Sequence, residues 1–325
     1  MVERHREVWG RHNWSPGIGT LARLGRAELA LSRTAAGDAD ALIVGYPGHA
    51  DMLAARRAAR GRPVVFNPLV SLADTLVGDR GVVSSSSPRA LALRSLDRRA
   101  FRSADLVVAD TEAHAGYFLR TYGLAQERVE VALVGAEDAL FRPGPTEPGV
   151  FHALFVGKLI PLHGLDTILT AAALAPEIPF VVAGAGQLAA LLADRPANVE
   201  HVPWIEYAAL PDAYRQAGCA LGIFGTGAKA ARVIPNKVFQ ALACARPVIT
   251  ADTPGARELL THDADALLVP PGDGQALADA IRRVAGDDAL ARRIGEAGRL
   301  TYEKRASEVV LGARWRELLE RTVTG

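Results

Sequence analysis

Only two cysteines, Cys219 and Cys244, occur in the 325 residues. They sit in apolar runs without ligand-like spacing, which argues against a disulfide framework and leaves buried free thiols in a reducing compartment as the reading. No stretch approaches the ~18 apolar residues of a membrane-crossing helix, and the opening MVERHREVW lacks the apolar core of a secretory signal. A cytoplasmic placement is therefore expected. Neither sign of charge is in excess, with 37 Lys plus Arg against 36 Asp plus Glu. A net charge of +1 gives no global pull toward nucleic acid, and no nucleic-acid partner is expected. No GxGxxG opens either half of the chain, since Gly184 and Gly186 follow the second strand of their half, and no GxSxG elbow is present. Dinucleotide redox chemistry and serine hydrolysis are thereby demoted. The histidines show no spacing that would place ligands on one face, and no acidic DxD-like cluster stands out, so no metal site is expected.

The length suits two domains of roughly 150 residues, and with 49% apolar residues there is enough for two cores. Apolar runs ALIVGY (Ala41–Tyr46), PVVFNP, DLVVAD and VEVALVG alternate with helical stretches at DMLAARRAARG, Pro88–Ser103 and from Glu112 onward. That rhythm implies a parallel sheet. PLVSLADTLVGDRGVVSSSS reads as a long polar loop beyond a strand's carboxyl end, where α/β sheets keep their ligands. The Pro/Gly-rich FRPGPTEPG, Phe141–Gly149, marks a linker. After it ALFVGK, PFVVAG, NVEHVP, CALGIF, RPVITA and ALLVP supply six strands of a second sheet, and the chain closes with helical segments at Gly274–Ala285 and Ser307–Thr322. The fold class is α/β, two doubly wound Rossmann-like domains. They span 1–145 and 146–305, followed by a last helix in 306–325. The first forty residues offer no convincing strand.

The stretch Leu221–Thr250, LGIFGTGAKAARVIPNKVFQALACARPVIT, reads as strand, loop, helix, strand. Pro235 suits the first helical position, so the amides of Asn236, Lys237 and Val238 would emerge with the positive end of the helix dipole. Two of the chain's four lysines, Lys229 and Lys237, fall here, beside Arg232. This is the pattern of an anion site, most naturally one for a diphosphate.

VIPNKVFQALACARPVIT resembles the donor-binding segment of family-4 (group 1) GT-B glycosyltransferases. The resemblance implies two domains facing a cleft, a nucleotide-sugar donor used without cofactor or metal, retention of anomeric configuration, and a last helix crossing back to the first domain with Trp315 as anchor. Most of the family carries two glutamates seven residues apart; Arg232 and Gln240 stand there instead. Gln240 can still bond a ribose, whereas Arg232 cannot accept a hydrogen bond at all. In VGKLIPLHG, Gly157, Lys158 and His163 match the segment that carries cations toward the donor phosphates; His163 would be protonated beside a diphosphate. Lys158, Lys237 and His163 are thus the candidate catalytic cations. Gly184 and Gly186 in VVAGAGQ, Trp204 over the base, Pro235, Asn236 and Glu258 complete the donor-side candidates. His49 and Asp74 are the acceptor-side candidates, the acceptor itself being unknown.

Family members usually open with a βα unit, and its apparent absence here suggests a first domain lacking one. A family histidine also appears replaced near Asn67. These departures keep two alternatives open, a noncatalytic nucleotide-sugar binder or partner subunit and a nucleotide-sugar epimerase on the same fold. Ten arginines between Arg56 and Arg102 face only Asp74, Asp79 and Asp97 as nearby acids. They could meet an anionic inner membrane surface, making the protein peripheral, although solvated helix faces account for them more simply.

Overall fold

The computed structural model describes residues 37–144 and 150–325, with a few positions between 26 and 33. The segment in which an opening βα unit was sought, and 145–149 within the expected linker, lie outside the described residues. The first domain strings together β1 (Leu42–Val44), α1 (Asp51–Ala59), β2 (Val64–Phe66), α2 (Pro88–Ser103), β3 (Leu106–Ala109), α3 (Glu112–Tyr122) and β4 (Val129–Val131). Its strands pair in parallel in the order β1-β2-β3-β4. The polar stretch after β2 is not simply a loop, because Asp74–Asp79 forms one wide helical turn. Asp97 of α2 explains this. It is fully buried, and its carboxylate accepts from Ser71 Oγ at 2.7 Å and from the amides of Leu72 and Ala73 at 3.2 and 2.9 Å, which pins the entry to the turn.

The second domain contains β5 (Ala153–Val156), α4 (Leu165–Leu174), β6 (Phe180–Ala183), β7 (Val199–Val202), α5 (Leu210–Gln216), β8 (Cys219–Leu221), α6 (Asn236–Ala243), β9 (Val248–Ala251), α7 (Pro254–Arg257), β10 (Leu267–Val269), α8 (Gly274–Ala285), α9 (Asp288–Arg305) and α10 (Glu308–Thr324). Its six strands, as many as the sequence indicated, are all parallel in the order β10-β9-β8-β5-β6-β7. The chain winds outward from β5 to β7, then returns to the other side of β5 to lay down β8. The crevice beyond the carboxyl ends of β5 and β8 is therefore the topological switch point where such sheets bind ligands. Two sequence boundaries shift. β8 stops at Leu221, although Gly222 and Ile223 still bond to β9, through Gly222 N–H to the Ile249 carbonyl at 2.8 Å and Ala251 N–H to the Ile223 carbonyl at 3.0 Å. The closing region holds three helices and not two; α9, which carries Gly295 and Gly298, is the addition. In the fold they let α9 approach Ala245 and Leu242 beside α6.

The last helix packs on the first sheet. Leu318 is buried with Val65, Leu106, Val108 and Ala132, while Trp315 and Leu319 are only partly covered. Leu318 is thus the centre of this contact and Trp315 its flank. Arg314 Nη2 reaches Glu130 at 2.7 Å and its Nε donates to the Val131 carbonyl at 3.1 Å. Among the described residues no helix is long and apolar enough to cross a membrane. Leu318→Ala is expected to destabilise the first domain by about 2–5 kcal/mol, the usual cost of emptying a buried leucine site. Urea unfolding followed by amide exchange on β2 and β3 checks this; protection should fall there and stay unchanged on β5 and β9.

Candidate functional site

The β5 carboxyl end carries Gly157 and Lys158, and α6 begins directly opposite. Pro235 is the cap of that helix, with φ −75° and ψ 151°, and not its first residue, so Asn236 opens it. Val238 N–H is already committed to the Pro235 carbonyl at 2.9 Å, which leaves the Asn236 and Lys237 amides as those ahead of the helix ladder. The Lys237 side chain does not reach into solvent. It is buried, with Nζ 3.8 Å from the centroid of the Phe155 ring and no hydrogen-bond partner. A Cβ on Gly157, whose φ is +151°, would lie 2.8 Å from that Nζ and 3.2 Å from His163 Cε1. Gly157 is glycine because the ammonium and the imidazole are seated over it. Burial pushes the Lys237 pKa well below its ordinary 10.5.

His163 is buried and its Nδ1 donates to the Lys158 carbonyl. That fixes the proton on Nδ1 and leaves Nε2 with the lone pair in the neutral ring. Burial, then the charge of Lys237, hold its pKa well below 6.5. The protonated form expected from sequence belongs to a complex with a diphosphate, whose negative charge would oppose this downward shift. The Lys158 side chain is exposed at the crevice.

The other donor-side candidates divide. A Cβ on Gly184 would fall 1.9 Å from the Gly157 carbonyl oxygen, so this glycine is required for one loop to lie on the next. Gly186 meets Leu159 in the same way. Gln240 is half-buried and its Oε1 accepts from Tyr214 Oη at 3.1 Å. Trp204 is 70% exposed, its Nε1 bonded to Glu206 at 3.0 Å, so it covers no pocket. Glu258 turns to the first domain, where its carboxylate accepts from the amides of Glu112 and Ala113 at 2.6 and 2.8 Å and caps α3.

The acceptor-side candidates also part company. His49 is buried among Phe66 and Phe101, with Nε2 3.5 Å from Asp97, and presents nothing to the cleft. Asp74 lies on the seam between the domains, paired with Arg232 at 2.8 Å, while the Arg232 guanidinium stacks 4.1 Å above the Tyr117 ring. Thr111 Oγ1 donates to the Arg232 carbonyl. Lys229, expected on a flexible loop, is buried and donates to Thr75 Oγ1 at 2.6 Å. Gln187 Nε2 reaches the Arg80 carbonyl at 2.9 Å. Sequence reading passed over Arg80 and Asp79 as loop polarity; the sequence signal was the placement of LADTLVGDR after β2. Four buried polar atoms of this region, Lys237 Nζ, Arg80 Nε, Arg232 Nε and Asp79 Oδ2, have no hydrogen-bond partner among the described residues. Among the described residues no group of three or more His, Cys, Asp or Glu is placed to hold a metal ion. The site offers cations, a helix start and a glycine floor, a constellation suited to a phosphorylated ligand.

Two parallel-sheet domains meeting at the switch point of the second define the GT-B fold. Solved structures agree. Sucrose-phosphate synthase from Thermosynechococcus elongatus superposes with a TM-score of 0.72 at 19% identity, covering 93% of this chain and 78% of that one. Anabaena HepE, in complex with UDP-glucose, gives 0.72 at 18%, covering 94% and 84%. By sequence, residues 151–287 match the family described as glycosyl transferases group 1, and residues 2–135 the glycosyl transferase 4-like domain. The chain is thus assembled from the two domains of a group 1 glycosyltransferase. Among curated relatives, the lipopolysaccharide core biosynthesis glycosyltransferase LpsD of Rhizobium meliloti is 35% identical over 88 residues, 27% of this chain and 26% of that protein. The D-inositol 3-phosphate glycosyltransferase of Pseudarthrobacter chlorophenolicus is 25% identical over 224 residues, 62% of this chain and 52% of that protein. The chain spans about half the length, or less, of these curated relatives.

An ammonium buried without a partner costs stability, so Lys237→Met should make the ligand-free protein more stable by about 1–3 kcal/mol. The sign with pH follows. The folded-state pKa lies below the unfolded value of 10.5, so the parent's stability rises as pH climbs from the folded toward the unfolded pKa. Thermal melts across alkaline pH should show the gap between variant and parent narrowing over that window.

Proposed function

We propose that the protein transfers a sugar from a nucleoside diphosphate donor to a hydroxylated acceptor, in the manner of a retaining, metal-independent glycosyltransferase of polysaccharide or glycolipid assembly. The observation that carries the proposal is the buried Lys237 ammonium held over Gly157 without a partner. A diphosphate lying on Gly157 would meet Lys237, the first amides of α6, the exposed Lys158 and, once protonated, His163. As the bond from the anomeric carbon to the leaving oxygen breaks, charge accumulates on the diphosphate, and these groups stabilise it without reorganising. Gln240, on the same helix as Lys237, stands for the ribose hydroxyls. The HepE structures hold UDP or UDP-glucose on the same fold, which makes uridine diphosphate the first nucleotide to test. The Arg232–Asp74 pair occupies the place where the family resemblance implies a sugar contact, so the sugar is bound beside the pair or after it opens.

Titration calorimetry should find that Lys237→Ala weakens UDP binding by about 1.5–3 kcal/mol, the range for a hydrogen bond to a charged group. An equal loss in Arg292→Ala, on distant α9, contradicts the site. With a radiolabelled UDP-sugar, label should move to a new acceptor, and the rate should persist in EDTA because cations of the protein fill the role of a metal. Binding without turnover would instead make the protein a nucleotide-sugar binder; an altered sugar still on UDP would make it an epimerase. A rate lost in EDTA and restored by Mg²⁺ overturns the metal-free reading.

A further inference from the structure

We infer that Arg80, at the end of the wide turn after β2, is a catalytic cation that the first domain places on the donor's diphosphate. The inference rests on the glycosyl-transfer reading above and adds to that site a residue that only the meeting of the two domains brings there.

Backbone bonds fix where Arg80 stands. Its amide donates to the Thr75 carbonyl at 2.9 Å, closing the wide turn, and its carbonyl accepts from Gln187 Nε2 at 2.9 Å. Gln187 lies between Gly186 and Leu188, and both rest on Leu159. The Leu188 amide donates to the Leu159 carbonyl at 2.9 Å, and a Cβ on Gly186 would meet the Leu159 nitrogen at 2.8 Å. Leu159 directly follows Lys158. From the other side Lys229 holds the turn through Thr75 Oγ1, and Asp79 faces the Leu162 amide, one residue before His163. Arg80 is thus set against the loops that carry Gly157, Lys158 and His163.

Charge decides what it meets there. Arg80 is half-buried, and its Nε is shut off from water without a hydrogen-bond partner among the described residues. Nor does its guanidinium form an ion pair among them. Asp79, the adjacent carboxylate, acts first on Lys229 and then on Arg80, while Asp74 is taken by Arg232. The Arg80 charge is felt inside the site: after burial and Lys237, it helps to hold the His163 pKa down. A partly dehydrated guanidinium without a bonded counter-charge is the state in which its planar fork of donors gains most from phosphate oxygens.

The gain is largest on the leaving group. In the transfer the acceptor oxygen bonds the anomeric carbon and loses its proton, and the bond from that carbon to the diphosphate oxygen breaks with its electron pair on the oxygen. The nucleoside diphosphate therefore departs with more negative charge than it carried as the sugar ester. Lys158 and Lys237 come with the second domain, which holds the nucleotide; Arg80 adds a cation from the facing wall, preorganised by the bonds to Thr75 and Gln187, where that charge grows.

Calorimetry on the full chain with UDP and with uridine tests the assignment. Arg80→Gln is expected to weaken UDP binding at least about ten-fold and to leave uridine binding within about two-fold, because only the phosphates meet Arg80. Its melt should match the parent's, since the side chain it shortens bonds nothing among the described residues. Unchanged UDP affinity in Arg80→Gln, or UDP and uridine weakened alike, overturns the role of Arg80. The two readings fail separately. A parent chain that does not bind UDP, or a Lys237→Ala variant that binds it as the parent does, sinks the donor site itself. Weakened binding in Lys237→Ala beside undiminished binding in Arg80→Gln leaves the donor site standing and removes Arg80 from it.

Discussion

The ammonium of Lys237 sits against the face of Phe155, over Gly157, with no group to share its protons. Much of the second domain is arranged around that placement. Phe155 is the penultimate residue of β5 at the sheet's switch point, Gly157 is bare so that the lysine can lie on it, and Gly184 is bare so that the next loop can lie on Gly157 in turn. A buried cation without a counter-charge is costly in a protein with no other use for it. It is reasonable in a protein whose ligand brings the missing negative charge, since the low dielectric that penalises the free state strengthens the bound one.

The same logic runs across the seam, but with the opposite outcome. Arg232 and Lys229 belong to the second domain and find their partners, Asp74 and Thr75, in the first. Glu258 caps α3 of the first domain from α7's end. The cations near the cleft therefore fall into two groups: those bonded by the other domain, Arg232 to a carboxylate and Lys229 to a hydroxyl, and those without a partner among the described residues, such as Lys237. His163 stands between the groups. Burial, then the charge of Lys237, holds its pKa below the ordinary value, and a bound anion would oppose that shift.

Reading the chain without its structure located the second domain well. The strands there are short, continuous apolar runs ending in glycine turns, and a parallel sheet buried on both faces produces just that signal. The expectation of an anion site rested on local features too: strand, glycine, lysine and a helix start. Helix α9 was missed; its Gly295 and Gly298 are contact points against Ala245 and Leu242. His49 was misjudged because a histidine after a strand reads as polar loop chemistry until its packing against Phe66 and Phe101 is seen.

From the order of its residues alone, this protein determined two parallel sheets, their division near the Pro/Gly-rich linker, and a basic loop ahead of α6. Each depends on patterns within about thirty residues. Only the tertiary structure decided which charges are free. Asp74 and Arg232 lie 158 positions apart in the chain, as do no two residues a sequence motif would join, yet they neutralise one another at 2.8 Å. Lys237, by contrast, looks like any lysine at a helix start until folding strips away its water and supplies no partner. Electrostatic roles follow from distance and solvent exclusion, and both are properties of the folded chain.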